Sequence, residues 1–312
     1  MGQPKKNWNA SDISNLHGKT VIVTGANSGI GFDTALELGR AGAFVIAACR
    51  DSKRGSEALA ALREAAPGAS FQLETLDLSR LASVRAFAER FLAGGLPLDV
   101  LVNNAGVMNI PDRELTEDGF ERQMGTNHLG HFALTGFLLP ALKKSMAPRV
   151  VNVSSMGAYV GRVDASDLAC DRSYSPFRAY TASKLANILF TQELARRAPW
   201  LLTVAAHPGV TQTNLAQHDA FSRFGMKFVA QAPARGALPS LFAATGDVAS
   251  GEYVGPRFLL QGAPTLVRLP RAGRDEANAR ALWDASEKLT HVSFAEYAST
   301  TTAVAAAPLH AS

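Results

Sequence analysis

Short apolar segments alternate with longer amphipathic segments along most of the chain. The short ones, rich in Val, Ile and Leu, have the length of buried strands, and the segments between them repeat their apolar positions with the period of a helix. The predicted strands lie near residues 19–24, 43–50, 70–79, 98–106, 149–155, 201–209 and 250–256, and the predicted helices near 32–43, 52–67, 83–95, 119–144, 180–198 and 279–292. Because strand and helix alternate, we predict an α/β fold with a doubly wound, mostly parallel sheet and helices on both faces.

The two ends of the chain and one internal region depart from this alternation. Residues 1–17 are polar and predict an arm before a single domain at 18–298, since no linker rich in Pro or Ser divides the chain. Residues about 211–240 mix short amphipathic helices with Gly and Pro. This pattern predicts a lid over a substrate pocket, with ordinary surface helices as the alternative. The low-complexity tail, 299–312, predicts disorder.

Composition and charge narrow the classes of function. With 47% hydrophobic and 19% charged residues, the chain has a globular composition that buries a large core. Its net charge is +4, but Lys and Arg are scattered rather than concentrated in a patch, so we predict no nucleic-acid partner. The only cysteines, Cys49 and Cys170, exclude a disulfide framework, and no apolar segment is long enough to span a bilayer. We therefore expect a cytoplasmic protein without a transmembrane segment.

A glycine-rich turn follows the first predicted strand and opens the first helix. Gly25, Gly29 and Gly31 have the spacing G-x-x-x-G-x-G. Glycines let the backbone approach a pyrophosphate, and the helix N-terminus offers N–H donors and the positive end of a dipole. Tight packing is the alternative explanation, but the position between a buried strand and a helix favours a nucleotide site. The residues predicted to form it are Gly25, Asn27, Ser28, Gly29, Ile30 and Gly31.

The end of the second strand indicates which dinucleotide binds. An acidic residue there accepts hydrogen bonds from a ribose 2′-hydroxyl, whereas an arginine accommodates a 2′-phosphate. Arg50 occupies this position and favours NADP(H), while the adjacent Asp51 either reaches the ribose or pairs with Arg50, so NAD(H) stays open. Asp77 and Leu78, after the third strand, are predicted to lie beside the adenine, with a helix cap as the alternative for Asp77.

Tyr180 and Lys184 form the strongest candidate for chemistry. They lie four residues apart in a predicted helix and therefore share one face. A free tyrosine has a pKa of about 10, and a neighbouring ammonium lowers it by favouring the phenolate. The pair then suits general acid-base transfer at an alcohol oxygen. The alternative is an ordinary amphipathic helix with a packed ring and a solvated amine.

Five motifs in order carry a family resemblance: TGANSGIG, NNAG, NHLGHF, NVSS and YTASK. Together they resemble the short-chain dehydrogenase/reductase (SDR) family in its single-domain Rossmann form, from about Lys19 to Gly209. ACRD, NNAGVM, SKLANILF and HPGV are most similar to its retinol dehydrogenase-like branch, which also resembles WW-domain oxidoreductase and protochlorophyllide reductase. The expectations in the next two paragraphs follow from that resemblance.

The resemblance implies roles for four side chains. Ser155 would hold the substrate oxygen, and Tyr180 would act as the acid or base. Lys184 would lower the pKa of Tyr180 and bind the nicotinamide ribose, and Asn127 would support a water-linked proton path. Alternatively, Ser155 ends a strand and Asn127 caps a turn. The implied cofactor contacts are Tyr180, Lys184, Asn104, Ala105, Gly106, Pro208, Gly209 and Val210.

The predicted activity is hydride transfer between NADPH and a carbonyl or alcohol of an apolar small molecule, similar to a retinal, steroid, aldehyde or ketone. Phe and Met residues in 221–230 of the predicted lid favour an apolar substrate. The alternatives are a non-catalytic dinucleotide sensor and, less favoured, a protochlorophyllide-type reductase. Relatives suggest a homodimer or homotetramer. His128 and His131 lack a third ligand, so we expect packing or capping there and no metal site.

Overall fold

The sheet has the strand order of a doubly wound fold. A computed structural model describes Lys5 and residues 7–210 and 231–295. Within these ranges the strands form one sheet in the order β3-β2-β1-β4-β5-β6-β7-β8, parallel except for the antiparallel pair β7 and β8. The strands are β1 (Thr20–Thr24), β2 (Phe44–Cys49), β3 (Ser70–Thr75), β4 (Val100–Asn103), β5 (Arg149–Val153), β6 (Leu202–Ala206), β7 (Tyr253–Pro256) and β8 (Pro264–Leu266).

Helices cover both faces of this sheet. The helices are α1 (Gly29–Arg40), α2 (Ser52–Ala65), α3 (Leu81–Ala93), α4 (Arg122–Met124), α5 (Gly130–Leu142), α6 (Pro176–Arg197), α7 (Pro233–Thr245) and α8 (Glu276–Thr290). In β1, Val21 and Val23 join the apolar cluster that contains α1, α2 and α7. Ile22 faces the opposite cluster, which contains α3, α5, α6 and α8. Because successive strand residues face opposite sides, a sheet covered on both faces needs apolar strands throughout.

The predicted fold class is therefore confirmed, and each predicted strand is present. The strand predicted at 250–256 is β7, whereas β8 was not predicted. The order of the strands reverses between β1 and β4, because β2 lies on one side of β1 and β4 on the other. Such a reversal opens a crevice at the carboxyl ends of the strands, where ligands bind in this class of fold.

Most helices are shifted by a few residues from their predicted bounds, and two of them differ in a way that affects the site. The segment 119–144 is not one regular helix, because a π-turn at Gly125–Leu129 separates α4 from α5. Gly130 lies so close to the end of the third strand that a Cβ there would be 2.3 Å from the Leu78 carbonyl oxygen. Helix α6 begins at Pro176, ahead of the predicted start at residue 180, with proline at a first-turn position that it favours.

The polar arm predicted for residues 1–17 packs on the body from Trp8 onwards. Trp8 is buried and meets Phe242 edge to face, with ring centroids 5.2 Å apart. The predicted lid also needs correction, because residues 233–240 belong to α7, which buries Ala237 and Leu241 in the core. The rest of the lid, 211–230, and the predicted tail, 299–312, lie outside the described residues.

Candidate active site

The glycine turn, residues 25–31, connects β1 to α1 and leaves no room for side chains at two positions. Gly25 has φ +66°, the left-handed region that favours glycine. A Cβ on Gly31 would lie 2.3 Å from the Gly25 carbonyl oxygen. α1 begins at Gly29, so its first N–H groups are at this edge, where a helix N-terminus binds phosphate. The turn therefore fits the close backbone approach that a dinucleotide pyrophosphate requires.

Three charged residues follow β2 and β3: the exposed Arg50, and Asp51 and Asp77, whose carboxylates accept local hydrogen bonds. Arg50 is exposed directly after β2. Asp51 caps α2 by accepting a hydrogen bond from the Arg54 N–H at 2.9 Å, which holds the pKa of Asp51 below its ordinary value. Asp77 accepts hydrogen bonds from the N–H and hydroxyl of Ser79, and Leu78 is buried. Asp51 is thus a helix cap, whereas Asp77 forms a local turn ahead of α3, whose N-cap is Arg80.

The loop after β4 is held against the end of β1. The Thr24 hydroxyl oxygen accepts hydrogen bonds from the N–H groups of Asn104 and Ala105, both at 2.9 Å. The Asn104 amide donates to the Thr24 carbonyl oxygen at 2.8 Å. A Cβ on Gly106 would lie 3.2 Å from the Lys184 Nζ. The structure therefore brings the predicted loop Asn104–Gly106 next to the lysine.

Ser155 and Tyr180 come together from β5 and α6. The Ser155 hydroxyl follows β5 and accepts a hydrogen bond from the Gly157 N–H at 3.1 Å. A Cβ on Gly157 would lie 3.5 Å from the Tyr180 Cε1 and 3.6 Å from the Ser155 Oγ, so the tyrosine ring and the serine hydroxyl border the same space. The neighbouring Ser154 is buried and donates its hydroxyl to the Lys184 carbonyl oxygen at 2.7 Å. Of the two serines, Ser155 is therefore the one whose hydroxyl meets the tyrosine.

Lys184 is buried beside Tyr180, with its Nζ 5.9 Å from the centroid of the tyrosine ring. The ammonium donates to the Val153 carbonyl oxygen at 3.3 Å, at the end of β5. Burial lowers the pKa of Lys184 to about 8. Because an ammonium loses hydration in such a site, its charge is maintained less easily than in water.

The pKa of Tyr180 is raised, whereas the sequence predicts a lowered value. Desolvation by burial is the larger cause, and the hydrogen bond with Ser155 acts against it. The predicted lowering by the Lys184 ammonium is not among the causes of this shift, which is dominated by the loss of water around the phenol. Tyr180 is consequently protonated at neutral pH and is ready to donate.

Asn127 links the loop after β4 to α6. It lies in the π-turn, where its side-chain oxygen accepts from the Val107 N–H at 2.8 Å and its amide donates to the Val107 carbonyl oxygen at 2.9 Å. The same amide donates to the Ser183 hydroxyl at 2.9 Å. The side chain therefore does more than cap a local turn, because it bridges two segments that both reach Lys184.

The predicted loop Pro208–Val210 follows β6 at the same edge of the sheet. Gly209 has φ +71°, and a Cβ there would be 2.3 Å from the Leu260 carbonyl oxygen. Val210 donates its N–H to that oxygen at 3.0 Å, and the Gln231 side chain donates to the Pro208 carbonyl oxygen at 2.7 Å. This loop is thus fixed from both sides.

His128 and His131 are both buried and hydrogen-bonded within the fold. His128 Nε2 lies 2.9 Å from the Ser286 hydroxyl on α8. His131 contacts the Asn127 carbonyl oxygen and the Thr24 hydroxyl, each at 2.9 Å. In residues 7–210 and 231–295 no group of three or more His, Cys, Asp or Glu side chains is arranged to hold a metal ion.

Two residues of the site have no place in the sequence predictions. Thr24 stands inside the motif TGANSGIG, and its position at a strand end directly before the glycine turn is a signal that could have identified it. Tyr253 on β7 is buried, and its hydroxyl donates to the Ser155 carbonyl oxygen at 3.4 Å. No local pattern indicates this contact, because it joins segments far apart in the sequence.

The fold and this edge of the sheet define a doubly wound α/β protein whose glycine turn fits a dinucleotide, and comparisons with known proteins give its family. The sequence profile of the short chain dehydrogenase family matches residues 19–221. The chain therefore belongs to the short-chain dehydrogenase/reductase family, whose members transfer hydride with NAD(P)(H), and is retinol dehydrogenase-like, as the sequence predicts.

Individual relatives agree with this assignment. The chain is 42% identical to retinol dehydrogenase 11 of Homo sapiens over 279 residues, covering 87% of this chain and 85% of the relative. It is 45% identical to retinol dehydrogenase 14 of Mus musculus over 300 residues, covering 89% and 87%.

Solved structures show the same fold. An uncharacterized protein from Mycobacterium paratuberculosis is 44% identical, with a TM-score of 0.79 and coverage of 92% of this chain and 99% of that one. A short chain dehydrogenase from Shigella flexneri complexed with NADP is 25% identical, with a TM-score of 0.63 and coverage of 78% and 99%. Within the described ranges, no helix combines the length and apolarity needed to cross a bilayer.

Proposed function

We propose that this protein is an NADPH-dependent oxidoreductase that interconverts a carbonyl and an alcohol on an apolar small molecule, with Tyr180 as the acid or base. The observation that carries the proposal is that the Ser155 hydroxyl and the Tyr180 ring border the same space at Gly157, with the buried Lys184 beside the ring. Two hydroxyls that can donate to one oxygen, next to a cation, suit a reaction in which negative charge develops on that oxygen.

The residues act in the following roles. A bound nicotinamide supplies the hydride chemistry. Ser155 and Tyr180 donate hydrogen bonds to the substrate oxygen and stabilise the charge that develops there. Tyr180 then transfers its proton to that oxygen, and the Lys184 ammonium stabilises the phenolate that remains. Asn127, which bridges to Ser183 on α6, supports the path by which the proton is replaced.

Arg50 supports NADP(H) as the cofactor. Its guanidinium is exposed directly after β2, where a 2′-phosphate binds in this class of fold, and it forms a planar fork of donors. Asp51 is engaged as the cap of α2. The relative from Shigella flexneri was solved with NADP. NAD(H) is the alternative that the experiment must compare.

Apolar side chains beside the loop Pro208–Val210 support an apolar substrate. Phe258, Leu259 and Leu260 are exposed in the segment between β7 and β8, and Leu260 accepts a hydrogen bond from the Val210 N–H. Two relatives are named retinol dehydrogenases, and retinol is an apolar alcohol. We therefore place retinoids first among the substrates to be tested, followed by steroids and long-chain aldehydes.

Two further expectations belong to the proposal. A homodimer or homotetramer is tested by light scattering after size-exclusion chromatography. The cytoplasmic location is tested by fractionation of cells that express the whole chain, with the protein expected in the soluble fraction.

The proposal is tested by following NADPH and NADH oxidation with retinal, a ketosteroid and a long-chain aldehyde. We expect turnover with at least one carbonyl, preference for NADPH, and loss of turnover in Tyr180→Phe without loss of NADPH binding. NADPH binding with no turnover on any carbonyl, in either variant, would instead identify a dinucleotide sensor. Equal rates with Tyr180→Phe would refute the role of the tyrosine.

A further inference from the structure

A buried histidine joins the two halves of the site. His131 lies on α5 and is 1% exposed. Its Nδ1 is 2.9 Å from the Asn127 carbonyl oxygen, and its Nε2 is 2.9 Å from the Thr24 hydroxyl, 107 positions away in the sequence. One ring therefore connects the π-turn that carries Asn127 with the end of β1.

The contacts fix the proton positions in this network. A carbonyl oxygen only accepts, so Nδ1 of His131 carries the hydrogen that faces Asn127. Burial lowers the pKa of His131 to about 4, so the ring is neutral at neutral pH and its Nε2 is an acceptor. The Thr24 hydroxyl must then donate to Nε2, which is closer than the Val102 carbonyl oxygen at 3.3 Å.

Thr24 passes this connection on to the predicted cofactor loop. Its hydroxyl oxygen accepts the N–H groups of Asn104 and Ala105, each at 2.9 Å. The Thr24 hydroxyl therefore donates one hydrogen bond, to His131, and accepts two. These three bonds are all that a hydroxyl can form. Losing the ring acceptor frees the hydroxyl proton to turn to Val102 and changes the orientation in which the two N–H groups are held.

We propose that His131 is a positioning residue that sets Asn127 and the loop Asn104–Gly106 in register with Lys184. It acts through the Asn127 carbonyl on one side and through the Thr24 hydroxyl on the other. The Asn127 side chain also hydrogen-bonds both the N–H and the carbonyl oxygen of Val107, so the network contacts the loop at both of its ends. This inference rests on the proposed function only for its effect on rate, because the network itself is independent of catalysis.

The chain offers a matched control at His128. Both histidines are buried to the same extent and lie three residues apart. The His128 ring, however, contacts the Ser286 hydroxyl on α8 and packs near Phe132 and Phe190, whereas the His131 ring contacts Thr24 and the Asn127 carbonyl oxygen. Glutamine at either position removes one buried imidazole, so the general loss of stability is comparable, while only the change at His131 removes the contact with Thr24.

The experiment compares the whole chain with His131→Gln and His128→Gln. Hydrogen exchange of peptides covering 103–107 is measured first, and it needs neither cofactor nor substrate. We expect exchange at least about tenfold faster in His131→Gln, because the reoriented Thr24 hydroxyl holds the two N–H groups less well; a factor of ten corresponds to about 1.4 kcal/mol of protection. We expect wild-type exchange there in His128→Gln. Equal exchange in the two variants overturns the proposal.

Steady-state kinetics then separate positioning from a purely structural role. We expect kcat of His131→Gln to fall by roughly ten- to a hundredfold, the order for a misplacement of up to 1 Å, with KM for the carbonyl substrate nearly unchanged. A parallel fall in both histidine variants contradicts the inference. If the wild-type chain turns over no carbonyl, the proposed function is wrong. The exchange comparison then still tests whether His131 positions the loop.

A second pair of variants protects the test against misfolding of His131→Gln. Thr24→Val removes the hydroxyl that connects the ring to the loop, and Thr24→Ser retains it. We expect fast exchange at 103–107 in Thr24→Val and restored protection in Thr24→Ser. Equal protection in the two threonine variants overturns the proposal, because the hydroxyl would then carry no part of the connection.

Discussion

The glycine turn and the proposed catalytic cluster, defined as Asn127, Ser155, Tyr180 and Lys184, lie at the same edge of the sheet but are built on opposite principles. The glycine turn is formed by absent side chains, since a Cβ on Gly31 would overlap the Gly25 carbonyl. The cluster is formed by side chains that are present, with Asn127 and Lys184 buried and Ser155 and Tyr180 partly buried. Added atoms should therefore damage cofactor binding at the first region, whereas removed polar atoms should damage the rate at the second.

The regions also differ in how their charge is supplied. At the glycine turn the positive field comes from the N-terminus of α1 and from the exposed Arg50, so it is accessible to water and weakened by salt. In the cluster the cation is the buried Lys184, whose field is screened much less. A change of one charge should thus have its larger effect in the cluster.

Lys184→Met gives the largest expected effect and tests whether the cluster controls the rate rather than cofactor binding. Methionine replaces the aliphatic stem but not the ammonium, so the phenolate of Tyr180 loses its stabilising charge. We expect kcat to fall about a thousandfold, within the range for acid-base groups, while the NADPH dissociation constant changes far less. Lys288→Met, at an exposed position on α8, is the control. A loss of affinity as large as the loss of rate would break the distinction between the two regions.

Arg50→Ala tests the charge at the cofactor side. A charge-assisted hydrogen bond is worth roughly 1.5–3 kcal/mol, so we expect NADPH to bind about 10- to 150-fold more weakly. The NADH dissociation constant should stay the same, because NADH has no 2′-phosphate. Isothermal titration with both dinucleotides measures this, with the exposed Arg162→Ala as the control. Equal losses for both dinucleotides would contradict the assigned role.

Gly31→Ala tests whether the glycine turn depends on missing atoms. The new Cβ would meet the Gly25 carbonyl oxygen at 2.3 Å and the Asn104 amide nitrogen at 2.4 Å. Overpacking of this kind costs roughly 1–3 kcal/mol, which corresponds to cofactor binding about 5- to 150-fold weaker. Gly94→Ala is the matched control, since its nearest contact is 3.3 Å and its φ is negative. Unchanged cofactor affinity in Gly31→Ala would show that the glycine turn can accommodate a Cβ at this position.

The pH dependence of kcat gives the smallest expected effect. The pKa of Lys184 is about 8 because of burial, and that of Tyr180 is raised. As pH rises through 8 the ammonium loses its proton while the phenol keeps its own, so the rate falls. We expect about a tenfold lower kcat at pH 9 than at the neutral plateau, since each unit above a pKa removes a factor of ten of the charged form. A flat profile up to pH 10 would assign no role to this charge.

The features predicted correctly from the sequence are those specified locally. β1, β2, β4, β5 and β6 are mostly apolar segments, and an apolar segment bounded by turn residues predicts a buried strand. The glycine turn and the Tyr180–Lys184 spacing are likewise contained within a few residues. The family resemblance of these motifs is confirmed by the match over residues 19–221.

What could not be predicted depends on contacts between distant segments. The sequence predicts Trp8 to be part of a polar arm, because its packing partner Phe242 is far away in the sequence. The direction of the pKa shift of Tyr180 depends on how far distant segments exclude water from the ring, and this burial raises the pKa where the sequence predicts a lowered value. His131 reads as a packed histidine, since nothing near it in sequence indicates Thr24 as its partner.

The central claim is that the cluster transfers a proton through Tyr180 as hydride passes from a bound NADPH to a carbonyl. The most direct measurement is a single turnover with NADPH deuterated at the transferred position, using the wild-type chain and Tyr180→Phe with the carbonyl that supports turnover. We expect deuterium on the alcohol carbon with the wild type, and none with Tyr180→Phe although NADPH binds equally well. Deuterium transfer at the same rate by Tyr180→Phe, or none by the wild type with NADPH and carbonyl both bound, would contradict the claim.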